Sequence, residues 1–250
     1  MENTALDALT KKAKTSVHIV ENRPIEYFVR AMMAGAYIGF ASVFCLKAVN
    51  GLYMIQSPLA SLIAALLFGV ALLMIVYGGA ELFTGNTMYF VIATMRRETS
   101  WKNTLQIWTL CLLGNAFGGL LFALIMAPTG IIQELGMDNW LFTLVGGKMS
   151  HSTIEIFFRA ILCNWMVCMA IFLPKTLKNE FAQIFAMMLL VSVFFVSSFE
   201  HVIANLAIFA LALVVPHPEV ITIGGAIHNL IPALIGNIIG IVKSSMKTKA

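Results

Sequence analysis

Two apolar stretches, residues 58–95 and 180–215, hold 38 and 36 residues, and each carries a similar polar interruption, E-L-F-T-G-N at 81–86 and E-H-V-I-A-N at 200–205. A membrane crossing takes roughly 20 apolar residues, so each stretch is too long for one helix. An unpaired backbone group or carboxylate in hydrocarbon costs several kcal/mol. Irregular polar segments therefore persist at membrane depth only where protein covers them or a cavity opens beside them. Two interrupted helices at matching places in two halves of a chain point to a substrate path between the halves.

The remaining apolar segments, near 28–47, 104–127, 154–173 and 221–242, bring the expected number of spans to six. Composition agrees: 60% of residues are hydrophobic and only 11% charged, with a mean hydropathy of +0.89. A soluble domain carries about twice that charge. No linker or low-complexity run divides the spans, so the expectation is a single membrane domain over 28–243. A cytoplasmic segment, 1–27, precedes it, and a cytoplasmic tail, 244–250, follows. The first thirty residues hold Lys11, Lys12 and Lys14 and lack the apolar core of a signal peptide. They read as a mature N-terminus with a short amphipathic helix.

Lysine and arginine near the span ends orient the chain. One side carries Lys11, Lys12, Lys14, Arg23, Arg30, Arg96, Arg97, Lys102, Lys175, Lys178, Lys243, Lys247 and Lys249; the other has Lys47, Lys148 and Arg159. Both termini are thus expected in the cytoplasm, and the formal charge of +4 calls for no nucleic-acid partner.

Three features recur in the same order. F-V-R-A at 28–31 matches F-F-R-A at 157–160, the interruptions match each other, and G-N-A-F-G at 114–118 matches G-N-I-I-G at 236–240, with offsets of 129, 119 and 122 residues. Internal repetition of this kind favours a duplication. Each half has an odd number of spans, so the halves are expected to be inverted. Gly114, Gly118, Gly119, Gly236 and Gly240 form small-residue faces where helix backbones can meet, within the subunit or between subunits.

Among five histidines, only His201 lies deep in an apolar span; His18, His151, His217 and His228 lie near ends or in loops, which argues against a bis-histidine haem site. His201 is either a functional group, the default for an ionisable residue inside a membrane, or a neutral histidine satisfied by a neighbouring hydroxyl or carbonyl. Glu81 and Glu200 would repel a conducted anion and read as structural, accepting hydrogen bonds from backbone N–H groups freed by the breaks; a proton-relay role is the alternative. Cys45, Cys111, Cys163 and Cys168 form no C-x-x-C pair and read as reduced packing residues. No H-E-x-x-H, P-loop or Rossmann glycine pattern is present, so neither metal nor cofactor is expected.

The runs G-A-E-L-F-T-G-N, F-F-R-A-I-L-C-N-W-M-V-C, S-F-E-H-V-I-A-N and N-L-I-P-A-L-I-G-N-I-I-G together resemble the formate/nitrite transporter family over nearly the whole chain. The resemblance implies an all-α integral membrane protein: a homopentamer of six-helix protomers, each an aquaporin-like inverted 3+3 repeat with broken second and fifth helices and its own pore for a small monovalent anion. Aquaporins would show two N-P-A motifs, absent here.

Carried over, the likeness places Thr84, Lys148, Asn164, His201 and Asn205 as polar pore residues and Phe68, Leu72, Leu82, Phe83, Val167 and Phe194 as apolar narrowings. It implies a channel in the cell inner membrane for hydrosulfide, formate or nitrite, with a lean toward the hydrosulfide branch that no single residue decides. Lys148 reads as an interfacial lysine or, with the family in view, as an anion collector at the outer mouth. The N-terminal segment, with Lys14 and His18, is a candidate pH-dependent plug. A proton-coupled anion symporter using the same pore is the alternative. An embedded enzyme is remote, because only Ser197, Ser198, Glu200 and His201 approach a catalytic set and they are adjacent in sequence.

Overall fold

The computed structural model describes residues 2–241. Lys243, Lys247 and Lys249, counted above for orientation, and the expected tail 244–250 lie outside the described residues. The described chain is helical: α1 (Glu2–Asn22), α2 (Pro24–Met54), α3 (Leu59–Phe68), α4 (Val70–Tyr77), α5 (Phe83–Met95), α6 (Trp101–Met126), α7 (Trp140–Ser150), α8 (Thr153–Phe172), α9 (Glu180–Val196), α10 (Val202–Leu213) and α11 (Ile223–Ile239). Short 3-10 turns cover Ala127–Thr129, Gln133–Leu135 and Leu173–Thr176.

Helix starts follow local chemistry. Pro24 opens α2, where its missing N–H is no loss. Ser100, Asn139, Asn179 and Thr222 each accept a backbone N–H at the start of α6, α7, α9 and α11, and Ser152 with Glu155 forms a reciprocal capping box for α8.

Both long apolar stretches are broken where their polar motifs stand. The 58–95 stretch runs from α3 through α4, ends before Glu81 and resumes as α5; the 180–215 stretch ends with α9 before Glu200 and resumes as α10. Each break begins with a left-handed residue, Gly79 at φ 69° and Ser198 at φ 52°. The next N–H reaches back to the helix just ended, Ala80 to Ile75 and Phe199 to Phe194, both at 3.0 Å. This is the Schellman ending. Glycine adopts it freely, whereas Ser198 carries the strain of a Cβ.

Among the described residues, four helical stretches are long and apolar enough to cross a membrane: Pro24–Met54, Leu59–Tyr77, Trp101–Thr129 and Thr153–Thr176. Glu180–Val196, Val202–Leu213 and Ile223–Ile239 are apolar but shorter. At about 1.5 Å per residue, a helix of this kind falls short of the roughly 30 Å hydrocarbon core and depends on its neighbours and flanks to complete a crossing. Large apolar side chains point outward along these helices, among them Phe40, Phe44, Leu113, Phe117, Leu124, Ile154, Phe158 and Ile231. Such a girdle suits lipid or subunit contact and not water.

The glycine faces are used within the subunit. A Cβ on Gly118 would stand 1.9 Å from the Met32 carbonyl oxygen, and one on Gly114 2.5 Å from Ala31 Cβ, so α6 lies directly on α2. Gly236 and Gly240 bring α11 onto α8 in the same way, against Ala160 and the Ile161 carbonyl, while Gly119 meets Ala207 of α10. Gly69, between α3 and α4, lets α9 approach until its Met188 Cα would be 2.9 Å from an added Cβ.

Replacing Gly118 by Ala is expected to force α2 and α6 apart and to destabilise the protein by about 1–3 kcal/mol. Gly51→Ala, inside α2 but with nothing within 4 Å of the added carbon, is expected to be stabilising by up to about 1 kcal/mol, because alanine is the better helix former. Thermal unfolding of the two detergent-purified variants checks this, and equal midpoints would contradict the packing argument.

Candidate functional site

The breaks strand backbone donors in an apolar interior, and two fully buried asparagines receive them. Asn115 Oδ1 accepts the Phe83 N–H at 2.9 Å, and Asn237 Oδ1 accepts the Val202 N–H at 2.8 Å. Their amides donate in turn to Ala31 O and Glu81 O, and to Ala160 O and Glu200 O. The Glu81 N–H bonds to Arg30 O and the Glu200 N–H to Arg159 O. One set of hydrogen bonds is thus built twice, with equivalent partners. The two carboxylates do not accept the freed backbone N–H groups, which corrects the expectation from sequence: the asparagine of the neighbouring helix is closer to those donors.

The carboxylates instead bind cations. Lys12 of α1 meets Glu81 at 2.6 Å, and Lys148 of α7 meets Glu200 at 3.0 Å. Ser16 and Asn86 also donate to Glu81, while Asn205 and Asn229 donate to Glu200. Lys148 therefore sits on a helix, not in a loop, and is 9% exposed with its charge matched. A helix supplying a lysine precedes each half, α1 before α2 and α7 before α8. Arg30 pairs with Glu26 at 2.6 Å, and Arg159 contacts His151 Nε2 at 2.7 Å, so neither reaches the path.

Three cavities run end to end between the breaks. The one nearest α7, about 50 Å³, is lined by Lys148, Trp140, Phe195, Phe199 and Asn205, together with Phe68, Phe194 and His201. The last three also line a central cavity of about 20 Å³, completed by Leu72, Ile75, Leu82, Val167 and Val191. Leu72, Ile75 and Leu82 in turn line the third, about 170 Å³, with Lys12, Glu81, Tyr89 and Lys175. The central space accommodates about one water-sized molecule. His201 is the one polar side chain lining it among the described residues.

His201 is 4% exposed, and both ring nitrogens are engaged. Nδ1 accepts the Ala204 N–H at 3.0 Å, capping α10, so Nδ1 carries no proton. The neutral ring is then protonated at Nε2, which donates to Thr84 Oγ1 at 2.9 Å. That leaves the Thr84 hydroxyl proton available to a third group. A second proton on His201 requires the Ala204 bond to break. The imidazole stacks on Phe194 at 5.8 Å and 19°, and Phe194 meets Phe68 edge-on at 6.4 Å.

Of the residues expected at the pore, Phe68, Leu72, Leu82, Val167 and Phe194 surround the central cavity, Thr84 and His201 meet beside it, and Lys148 and Asn205 line the cavity toward α7. Phe83 is a correction: it packs edge-on against Trp108 at 6.3 Å and lines none of the three cavities, because the turn that places Leu82 inward sends the next side chain the other way. Asn164 is another: its amide donates to Thr87 Oγ1 and to Asn237 O, bridging α8 to α5 and α11 outside the cavities. Lys14 and His18 line a separate surface hollow with Asp7, Arg96 and Glu98. There Lys14 meets Glu98 at 2.9 Å and holds its carboxyl below the usual range. The α1 residue at the mouth is Lys12. The network also holds Lys12, Asn115, Asn229, Asn237 and Tyr27, whose hydroxyl accepts from the Asn86 amide at 2.9 Å, none of which the sequence marked as such; the repeated G-N-x-x-G was the available signal for Asn115 and Asn237.

Lys148→Met is expected to leave Glu200 buried without its cation and to destabilise the protein by about 3–5 kcal/mol, with Glu200→Gln in the same chain restoring part of the loss. Chemical denaturation of the single and double variants measures this; a Lys148→Met protein as stable as wild type would refute the pair. Nitrogen-15 spectra of histidine-labelled protein are expected to show His201, identified by its loss in His201→Asn, as the Nε2–H tautomer. A signal for the Nδ1–H form would refute the cap assignment.

Comparison with known proteins places this arrangement. The family model described as formate/nitrite transporter matches residues 3–243. The uncharacterized transporter YwcJ of Bacillus subtilis (strain 168) is 43% identical over 238 residues, covering 95% of this chain and 93% of that protein. The nitrite transporter NirC of Escherichia coli (strain K12) is 30% identical over 243 residues, covering 92% and 86%. A solved FNT family ion channel superposes with a TM-score of 0.86 at 27% identity, covering 95% and 94%. A pentameric formate channel with formate bound gives 0.73 at 26% identity, covering 86% and 92%.

Proposed function

The chain belongs to the formate/nitrite transporter family, and from that premise we propose that it conducts formate, nitrite or a similar small monovalent weak-acid anion through the three aligned cavities. The Thr84–His201 pair at an otherwise apolar narrowing carries this reading. An anion entering that space loses water without a countercharge. The Nε2–H of His201, with the Thr84 hydroxyl released from it, supplies two donors to the substrate at the point of greatest desolvation. The flanking Phe68, Phe194, Leu72 and Leu82 exclude larger or more strongly hydrated ions.

The working assembly in this proposal is a homopentamer of six-span protomers, in keeping with the solved pentameric relative. Each protomer is an inverted 3+3 repeat. The doubled hydrogen-bond set around Asn115 and Asn237 supports that repeat, and the lysine and arginine distribution supports cytoplasmic termini. The names of the relatives favour formate and nitrite over hydrosulfide, so hydrosulfide enters the test as a third substrate.

A proton-coupled reading has one specific observation in its favour. No cation lines the central cavity among the described residues, so a weak acid crosses it at lower cost as the neutral molecule. The two readings differ in whether flux carries current.

In liposomes, the wild-type protein is expected to pass formate, nitrite or hydrosulfide well ahead of chloride, and His201→Ala to lower that flux at least tenfold while His217→Ala leaves it within twofold. Equal permeation of chloride, or equal effects of the two histidine variants, would overturn the proposal. Flux that does not respond to an imposed membrane potential would select the proton-coupled form.

A further inference from the structure

The two mouths of the path differ in charge. Toward α7, Lys148 is the cation lining the cavity, and its contact with Glu200 at 3.0 Å cancels it. Toward α1, Lys12 is likewise matched by Glu81 at 2.6 Å, but Lys175 lines the same cavity with no carboxylate within 4.0 Å among the described residues. Glu81, the acid of that cavity, is occupied by Lys12, Ser16 and Asn86. One mouth is therefore neutral and the other carries one uncompensated positive charge.

Lys175 is also held in place. It lies in the 3-10 turn Leu173–Thr176, behind the buried Pro174, whose carbonyl accepts the Leu177 N–H at 3.0 Å; Thr176 Oγ1 donates to Leu173 O at 2.8 Å. The turn packs on α1. The side chain is exposed at the end of a short rigid turn and not on a loose tail.

We propose that Lys175 is the anion-collecting residue of this protein, and that it gives the path a higher apparent affinity for anions at the α1 face than at the α7 face. The inference rests on the anion-conducting reading above and moves the collecting role from Lys148, which is neutralised, to a residue on the opposite side. A single exposed charge roughly 8 Å from an entering anion changes its local concentration about two- to fourfold in water. The gain falls away once the screening length drops to about 3 Å near 1 M salt.

The test is half-saturation of flux measured separately from each face of oriented protein in planar bilayers, using whichever of formate, nitrite or hydrosulfide the wild type passes. Lys175→Gln is expected to raise half-saturation two- to fourfold from the α1 face at low ionic strength, leave the α7 face unchanged, and match wild type at 1 M salt; Lys175→Arg is expected to behave as wild type. Wild-type conduction with no shift in Lys175→Gln, or with equal shifts at both faces, would overturn the proposal for Lys175 and leave the channel reading standing. A wild type that passes none of the three anions would overturn the channel reading and this inference together.

Discussion

Two helix breaks inside an apolar body expose backbone donors that neither water nor the helices themselves can satisfy, and Asn115 and Asn237 are what make those breaks tolerable. Each asparagine accepts the first N–H of the resumed helix and donates to two carbonyls on other segments. One side chain thereby ties together three elements. The close passage of α6 over α2 and of α11 over α8, permitted by Gly118 and Gly240, brings each asparagine within reach. With the backbone so held, Leu82 and His201 are turned inward at fixed positions, and the path narrows where the two breaks face each other.

The charges follow from the same constraint. A carboxylate buried beside each break is tolerable only with a cation and hydrogen-bond donors around it, and α1 and α7 each deliver one lysine for that purpose. These lysines are consequently balanced, and the path between the mouths is nearly free of net charge. His201 fits that setting as a neutral ring, with one nitrogen capping α10 and the other bonded to Thr84. Polarity at the narrowing comes from oriented N–H and O–H groups, which can serve an anion without holding it as a full charge would.

Much of this was legible in the chain. The two over-long apolar stretches, their matched polar motifs and the single deep histidine marked both breaks and the polar side chain at the central cavity, because a membrane punishes polar groups strongly enough for their positions to be informative. Phe68, Leu72, Leu82, Val167 and Phe194 lie about the central cavity. Phe83 and Asn164 were misplaced, since one residue of offset at the helix start reverses the direction of a side chain, and a buried amide can bridge helices instead of lining a cavity. Lys148 read as an interfacial lysine or an anion collector because its partner, Glu200, is 52 positions away and the ion pair is invisible in the chain.

By itself, then, the sequence determined that the chain is a helical membrane protein and that two of its long apolar stretches are broken, near Glu81 and near Glu200. These follow from composition, hydropathy and short polar motifs, each read from a stretch of neighbouring residues. Which partner satisfies each broken backbone, which lysine is neutralised, which His201 nitrogen carries the proton and which mouth keeps a free charge were decided only by the tertiary structure. Those properties depend on distances of about 3 Å between residues up to 117 positions apart, and only the packing of helix on helix sets such distances.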